Sequence, residues 1–203
     1  MPSKPAKKDS KKTNPGMSIY QIKITLQGSN PTIWRRVLMP GDIPLNYLHH
    51  VIQIAMGWTN SHMHQFIIGT GTTTRFLGTR EHEMADLLIE DEFDHTLTGI
   101  ARAPKSKLFY EYDFGDSWLH EILVEKILPP DPAMRHPVCT AGENACPPDD
   151  CGGIPGYYDL LAAVADPKHP DHEDMIEWLE EDFDPTEFSV DAVNSELKAR
   201  IEC

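Results

Sequence analysis

Three of the chain's four cysteines, Cys139, Cys146 and Cys151, sit in one stretch, CTAGENACPPDDC. Clustered thiols are soft ligands, and a tetrahedral zinc site takes four donors, commonly with two to four residues between paired cysteines. Four residues separate Cys146 from Cys151, which fits, and six separate Cys139 from Cys146, which does not. A fourth donor is available from His120 on the preceding strand pattern, or from His136, three residues before Cys139. The expected metal set is therefore Cys139, Cys146, Cys151 and His120, with zinc as the cofactor if a metal is bound. Two other fates stay open: burial as small apolar residues, or a disulfide. Nucleophilic chemistry is disfavoured. Acids flank the thiols, no cation neighbours them in sequence, and such surroundings raise a thiol's pKa.

A second group of polar residues is spread over two segments. His62 and His64 in HMHQF would share a face if the segment is a strand, so both imidazoles could reach one ion, with His49 or His50 adding another. Asp113, Asp116 and His120 surround the DFGDSW turn, where a general base and its partner could meet. A turn aspartate bonded to backbone amides is the simpler role for Asp116, and a pairing with Arg35 or Arg36 the simpler one for Asp113. The DFG triplet is not a kinase signature, because no glycine-rich phosphate loop or catalytic loop accompanies it. No nucleophile elbow, phosphate loop or dinucleotide fingerprint occurs either. No residue is assigned as catalytic. The leading function is a non-catalytic module working through a protein or nucleic-acid partner. The alternative is a metal-dependent hydrolase or nuclease-like enzyme using His62, His64, Asp113 and His120.

The elements that must position these residues follow from periodicity. In IYQIKITLQ, Ile22, Ile24 and Leu26 alternate with polar residues, and after GSNP a second run, TIWRRVLMP, completes a hairpin. Arg35 and Arg36 are adjacent and so face opposite sides. GDIPLNYLHHVIQIAMGW reads as a helix, with Asp42 at its start, Pro44 in its first turn, Gly57 at its end and an apolar stripe of Leu45, Leu48, Ile52, Ala55 and Met56. HMHQFIIG and TTTRFLG resume strand character. Residues 80–106 suggest an acidic loop and a short helix near Leu97. KLFYEYDFGDSWLHEILVEKIL predicts a hairpin in the middle of the main sheet that buries Tyr110, Tyr112 and Trp118. After the cysteine loop come three helical patterns. The second has Met175, Ile176, Trp178 and Leu179 facing inward, with Glu177, Glu180 and Glu181 in water. The third starts at Ser189 and buries Val190, Val193, Leu197 and Ile201. Strands followed by helices, without βαβ alternation, predict an α+β fold over residues 17–203. Its sheet is mixed or antiparallel, with one helix after the first hairpin and a helical cluster at the C-terminal end.

Composition limits the partners. Of 32 acids and 18 lysines and arginines in the chain, 17 and 3 fall in residues 140–203, so the net charge of −14 belongs to that third. An acidic face repels phosphate backbones, which disfavours direct nucleic-acid binding. Residues 1–16, MPSKPAKKDSKKTNPG, lack an apolar core and are expected to be a disordered basic tail, not a secretion signal. With no membrane-length apolar run, the expected location is cytoplasmic, where thiols stay reduced.

IWRRVLMP, LHHVIQIAMGW, HMHQF, YEYDFGDSWLHEILVEKI, ACPPDDCGGIPGY and FDPTEFSVDAVN occur in this order. Together they resemble the plasmid pRiA ORF-three-like family, over roughly residues 18–200. The resemblance implies a single α+β roll-like domain, with some members travelling on plasmids or mobile elements. It carries no reaction with it.

Overall fold

The computed structural model describes residues 18–79, 89–179 and 183–201. β1 (Ile19–Leu26) and β2 (Trp34–Pro40) form the expected hairpin, with Ile22 opposite Val37 and Ile24 opposite Arg35. α1 (Leu45–Met56) follows. Pro44, not Asp42, stands at its N-cap without a side-chain bond, while Gly57 ends it at φ 109, a left-handed turn that suits glycine. β3 (His64–Ile68), β4 (Arg75–Gly78), β5 (Ile89–Asp91), the one-turn α2 (Leu97–Ile100), β6 (Lys107–Tyr112) and β7 (Trp118–Leu128) come next. β8 (Val138–Glu143) and the helices α3 (Gly153–Ala165), α4 (His172–Leu179) and α5 (Val190–Arg200) complete the fold.

The eight strands form one sheet in the order β5-β4-β3-β6-β7-β1-β2-β8. Neighbours are antiparallel except for β4 with β5, so the sheet is mixed and the fold is α+β. The β6–β7 hairpin lies at the sheet's centre, and Tyr110, Tyr112 and Trp118 are fully buried there. Ile22, Ile24 and Leu26 of β1 and Leu45, Leu48, Ile52, Ala55 and Met56 of α1 join them in one core.

Three expectations change. Cys139 does not lie in a loop. It is the second residue of the edge strand β8, opposite Val37 of β2. VCTAGE has little strand propensity of its own, and the unpaired edge of β2 imposes the pairing. α4 packs on α3, and its Ile176 and Trp178 are 49% and 42% exposed instead of facing the sheet. An inward stripe at helical spacing records only that a helix is amphipathic, not which neighbour it meets. In α5, Leu197 and Ile201 are buried, while Val190 and Val193 are only partly covered. The Lys-rich tail, residues 80–88, Glu180 and Glu181 lie outside the described residues.

The prolines and glycines after Cys146 dock that loop onto the central hairpin. Asp116 Oδ2 accepts a hydrogen bond from the Gly152 amide at 3.0 Å. Gly153 has φ +68, and a Cβ there would lie 2.5 Å from the Asp116 carbonyl oxygen. Gly153→Ala is therefore expected to cost about 2–3 kcal/mol, from a disfavoured backbone and a collision together. Urea unfolding of the variant checks this, with Gly71→Ala, where a Cβ meets nothing within 4 Å, as the reference for positive φ alone.

Candidate metal centre

Three segments distant in sequence meet beside the docked loop. His62 lies in the bend before β3, Asp113 opens the β6–β7 turn, and Asp150 belongs to PPDD. One ligand atom from each comes within 4.8 Å of the other two. His62 Nδ1 is 3.8 Å from Asp113 Oδ2, and His62 Nε2 is 3.2 Å from Asp150 Oδ1. The latter pair is not aligned as a hydrogen bond, and His62 Nε2 is a buried nitrogen with no hydrogen-bond partner. Asp113 and Asp150 both hold left-handed backbones, at φ 57 and φ 60, which aspartate tolerates better than most residues. Asp113 Oδ1 accepts from the Gly115 amide at 2.9 Å, so the turn presents Oδ2 toward His62.

Acids and hydroxyls surround this triad. Asp149 Oδ2 accepts from the Thr59 amide at 3.2 Å and from its hydroxyl at 2.5 Å, while Asp149 Oδ1 is buried without a partner. Tyr112 Oη accepts from the Ser61 amide at 3.1 Å, holding the His62 segment against the hairpin. One imidazole and two carboxylates suit a borderline or hard divalent cation, such as zinc or manganese, with positions left for water.

The other expected ligands go elsewhere. His64 is the first residue of β3, so the two-residue periodicity does not extend back to His62. Its side chain turns into the core, where Nε2 is 2.9 Å from Glu92 Oε2 and the ring stacks on His49 at 3.6 Å between centroids. His120 is fully buried on β7. Its Nδ1 lies 3.3 Å from the Tyr110 carbonyl, and its Nε2 accepts from Trp58 Nε1 at 3.4 Å, so the indole occupies the lone pair a metal would use. Burial lowers its pKa to about 4. Asp113 pairs with neither arginine. Arg36 forms a two-pronged bridge to Glu125, at 2.6 and 2.8 Å, and Arg35 lies inside the core. Asp116 bonds a backbone amide, as a turn residue does, but the amide belongs to the cysteine loop.

The three thiols are spread along the same region. Among the described residues none belongs to a group of three potential ligands within 4.8 Å of one another. Cys139 is buried on β8, and its thiol donates to the Ala141 carbonyl at 3.5 Å. Burial raises all three pKa values: Cys139 moderately, Cys146 well above the usual range against the pull of Arg35, and Cys151 to about 12. His136 Nδ1 is engaged with the Pro137 carbonyl at 3.0 Å. Asp150 is not among the ligands expected from the sequence, where the acids beside the cysteines enter only through their effect on the thiols. The signal was PPDD itself, where prolines hold two carboxylates in a fixed local geometry.

The chain is similar to a curated protein in sequence and to a solved structure in fold. "Uncharacterized protein y4hQ" of Sinorhizobium fredii is 35% identical over 161 residues, covering 79% of this chain and 80% of the relative. A crystal structure described as a protein of unknown function, MM3350 from Methanosarcina mazei Go1, superposes with a TM-score of 0.76 at 32% identity. It covers 86% of this chain and 96% of its own. Among the described residues no helix is long and apolar enough to cross a membrane. Residues 18–192 match one family throughout, and the chain belongs to it: the plasmid pRiA4b ORF-3-like proteins.

Proposed function

We propose that this protein is a non-catalytic interaction module pinned by one divalent cation at His62, Asp113 and Asp150. The observation that carries this is the convergence of three ligand atoms within 4.8 Å from three separate segments. A cation there would tie the PPDD loop to the central hairpin, a structural task, and would offset carboxylates that otherwise repel one another. The side chains described around the triad, Asp116, Asp149, Thr59 and Ser61, attract a cation and offer no positive group to an anionic substrate. The module's partner is taken to be a protein that covers the exposed Ile176 and Trp178 of α4. Its acidic C-terminal third disfavours nucleic acid.

Calorimetric titration of chelator-treated protein with zinc and with manganese tests the metal. Asp150→Asn and His62→Ala are each expected to weaken binding by about tenfold or more, while Cys146→Ser and Cys139→Ser keep it. At a free metal concentration 100 times Kd, the unmodified protein should gain about 2.7 kcal/mol of stability. Loss of metal from the cysteine variants, with retention in Asp150→Asn, would move the site to the thiols and sink this assignment.

A further inference from the structure

The sheet has two faces, and the core uses one of them. Along β1, β2, β6 and β7 alternate residues are buried, and these join the apolar side chains of the helices in the core. An antiparallel sheet with one covered face commonly turns polar residues to water on the other. Here the other face carries Trp34 and Leu38 on β2, Ile67 on β3, Phe76 on β4, Phe109 on β6 and Leu123 on β7. All six are partly exposed, and none of them belongs to the core or packs against it.

Strand register sets these residues side by side. Ile67 stands opposite Phe76 on one neighbour and Phe109 on the other, so three large apolar residues form a row across β4, β3 and β6. Glu121, Thr25 and Trp34 continue that row across β7, β1 and β2. Leu123 lies in the next row, between Lys107 and Lys23.

The charges on this face are answered within the chain. Lys107 Nζ pairs with Glu121 at 2.8 Å, Arg36 bridges to Glu125, and Gln65 Nε2 donates to Glu111 at 2.7 Å. Lys23 and Arg36 lie over the Trp34 ring, 4.6 and 5.0 Å from its centroid. Covering this face therefore strands few lone charges, which is the main cost of burying ionic groups. Lys23, Arg36 and Lys107 also balance Glu111, Glu121 and Glu125, in a chain whose net charge is −14. Copies of so acidic a chain repel one another through most of their surface, so a near-neutral face is where two can approach. The cations over Trp34 occupy the ring on which a nucleic-acid base would stack.

The area suits such a contact. With strands about 4.8 Å apart and outward residues about 6.8 Å apart along each, about twenty outward positions cover roughly 650 Å². Specific interfaces bury about 600–1,000 Å² per partner.

We propose that this outer face binds a second copy of the chain, sheet on sheet. β6 and β7 stand in the middle of the strand order. A two-fold axis running along them sets the Phe76–Ile67 end of one copy over the Trp34–Leu38 end of the other, and makes that contact twice. The strands of the two sheets then cross at about 30°. This inference goes beyond the metal-pinned module. It needs no cation, and it uses a different surface from Ile176 and Trp178 of α4.

Sedimentation equilibrium of the full chain with chelator present, from about 1 to 100 μM, is the test. The parent is expected to reach twice its mass of 22.9 kDa at the upper end. Ile67→Lys and Leu38→Lys, at opposite ends of the face, should each raise the dimer Kd by about tenfold or more. Circular dichroism should stay unchanged, since both side chains point away from the core. Two separate positions keep the test decisive if one variant fails to fold. Trp178→Ala should associate as the parent does. The proposal is overturned by a parent that stays monomeric throughout, by a dimer that survives both lysine substitutions, or by a dimer lost in Trp178→Ala.

Discussion

Replacing Arg35 with alanine should cost roughly 3–5 kcal/mol, a large share of the stability of a domain this size. Arg35 is 1% exposed on β2, and among the described residues no carboxylate forms an ion pair with it. Its guanidinium instead donates to three backbone carbonyls: Ala55 at the end of α1 at 2.8 Å, Trp34 at 2.8 Å, and Glu143 at the end of β8 at 2.9 Å. Its flat face lies 4.1 Å from the Phe188 ring centroid. One side chain therefore joins α1, β2, the edge strand β8 and the segment leading into α5. Burying the charge is itself costly, which is why the pKa of Arg35 is pulled down. Arg35→Met separates the two effects. It restores apolar volume but leaves the carbonyls without donors, so it should lose roughly 2–3 kcal/mol. Arg35→Lys cannot span three acceptors and should fall between the parent and Arg35→Ala. Urea unfolding with an unchanged slope against denaturant is the measurement. Full stability in Arg35→Met would show that desolvation outweighs the staple.

The second large effect is with pH. Burial, then the neighbouring His64, lowers the His49 pKa to about 3, and burial lowers that of His120 to about 4. In the unfolded chain both titrate near 6.5. Above pH 6.5 they are neutral in both states and add no pH dependence. Below it the unfolded chain takes up protons that the folded chain refuses, so stability falls as pH falls, until the folded-state values are reached. Two such protons give a limiting slope of about 2.7 kcal/mol per pH unit between roughly pH 6 and 4. The bridged Glu125 and Glu90, held below the usual carboxylate range by Arg36 and Arg75, add losses at still lower pH. Thermal unfolding in steps of pH should therefore show a steep drop in Tm beginning near pH 6. His120→Gln, which keeps a neutral acceptor for Trp58, should lower the slope by about one proton. A flat Tm from pH 7 to 4.5 would contradict the buried, neutral placement of both rings.

Much of this protein was legible in the order of its residues. Alternation in IYQIKITLQ and KLFYEYDFGDSWLHEILVEKIL marked the strands that form the middle of the sheet, because a period of two leaves one face to bury whatever the partner. Gly57 and Ser189 marked helix ends, because left-handed turns and capping bonds are local: Ser189 Oγ accepts from the Ala192 amide at 3.2 Å. Arg35 and Arg36 were seen to diverge, since neighbours on a strand must. Tertiary structure decided the rest, and each case turns on contacts that no local rule contains. His62 and His64 parted because the strand begins at His64, so the first points to the PPDD loop and the second to Glu92. His120 meets Trp58 instead of the thiols, because the indole that follows α1 packs against its ring and donates to Nε2. Cys139 became part of an edge strand because β2 had an edge to pair. Asp150 came to face His62 and Asp113 only because Asp116 and Gly153 dock one loop on another. Spacing along the chain states which donors exist. Which of them meet depends on where separate segments are packed, and that is set by the whole core.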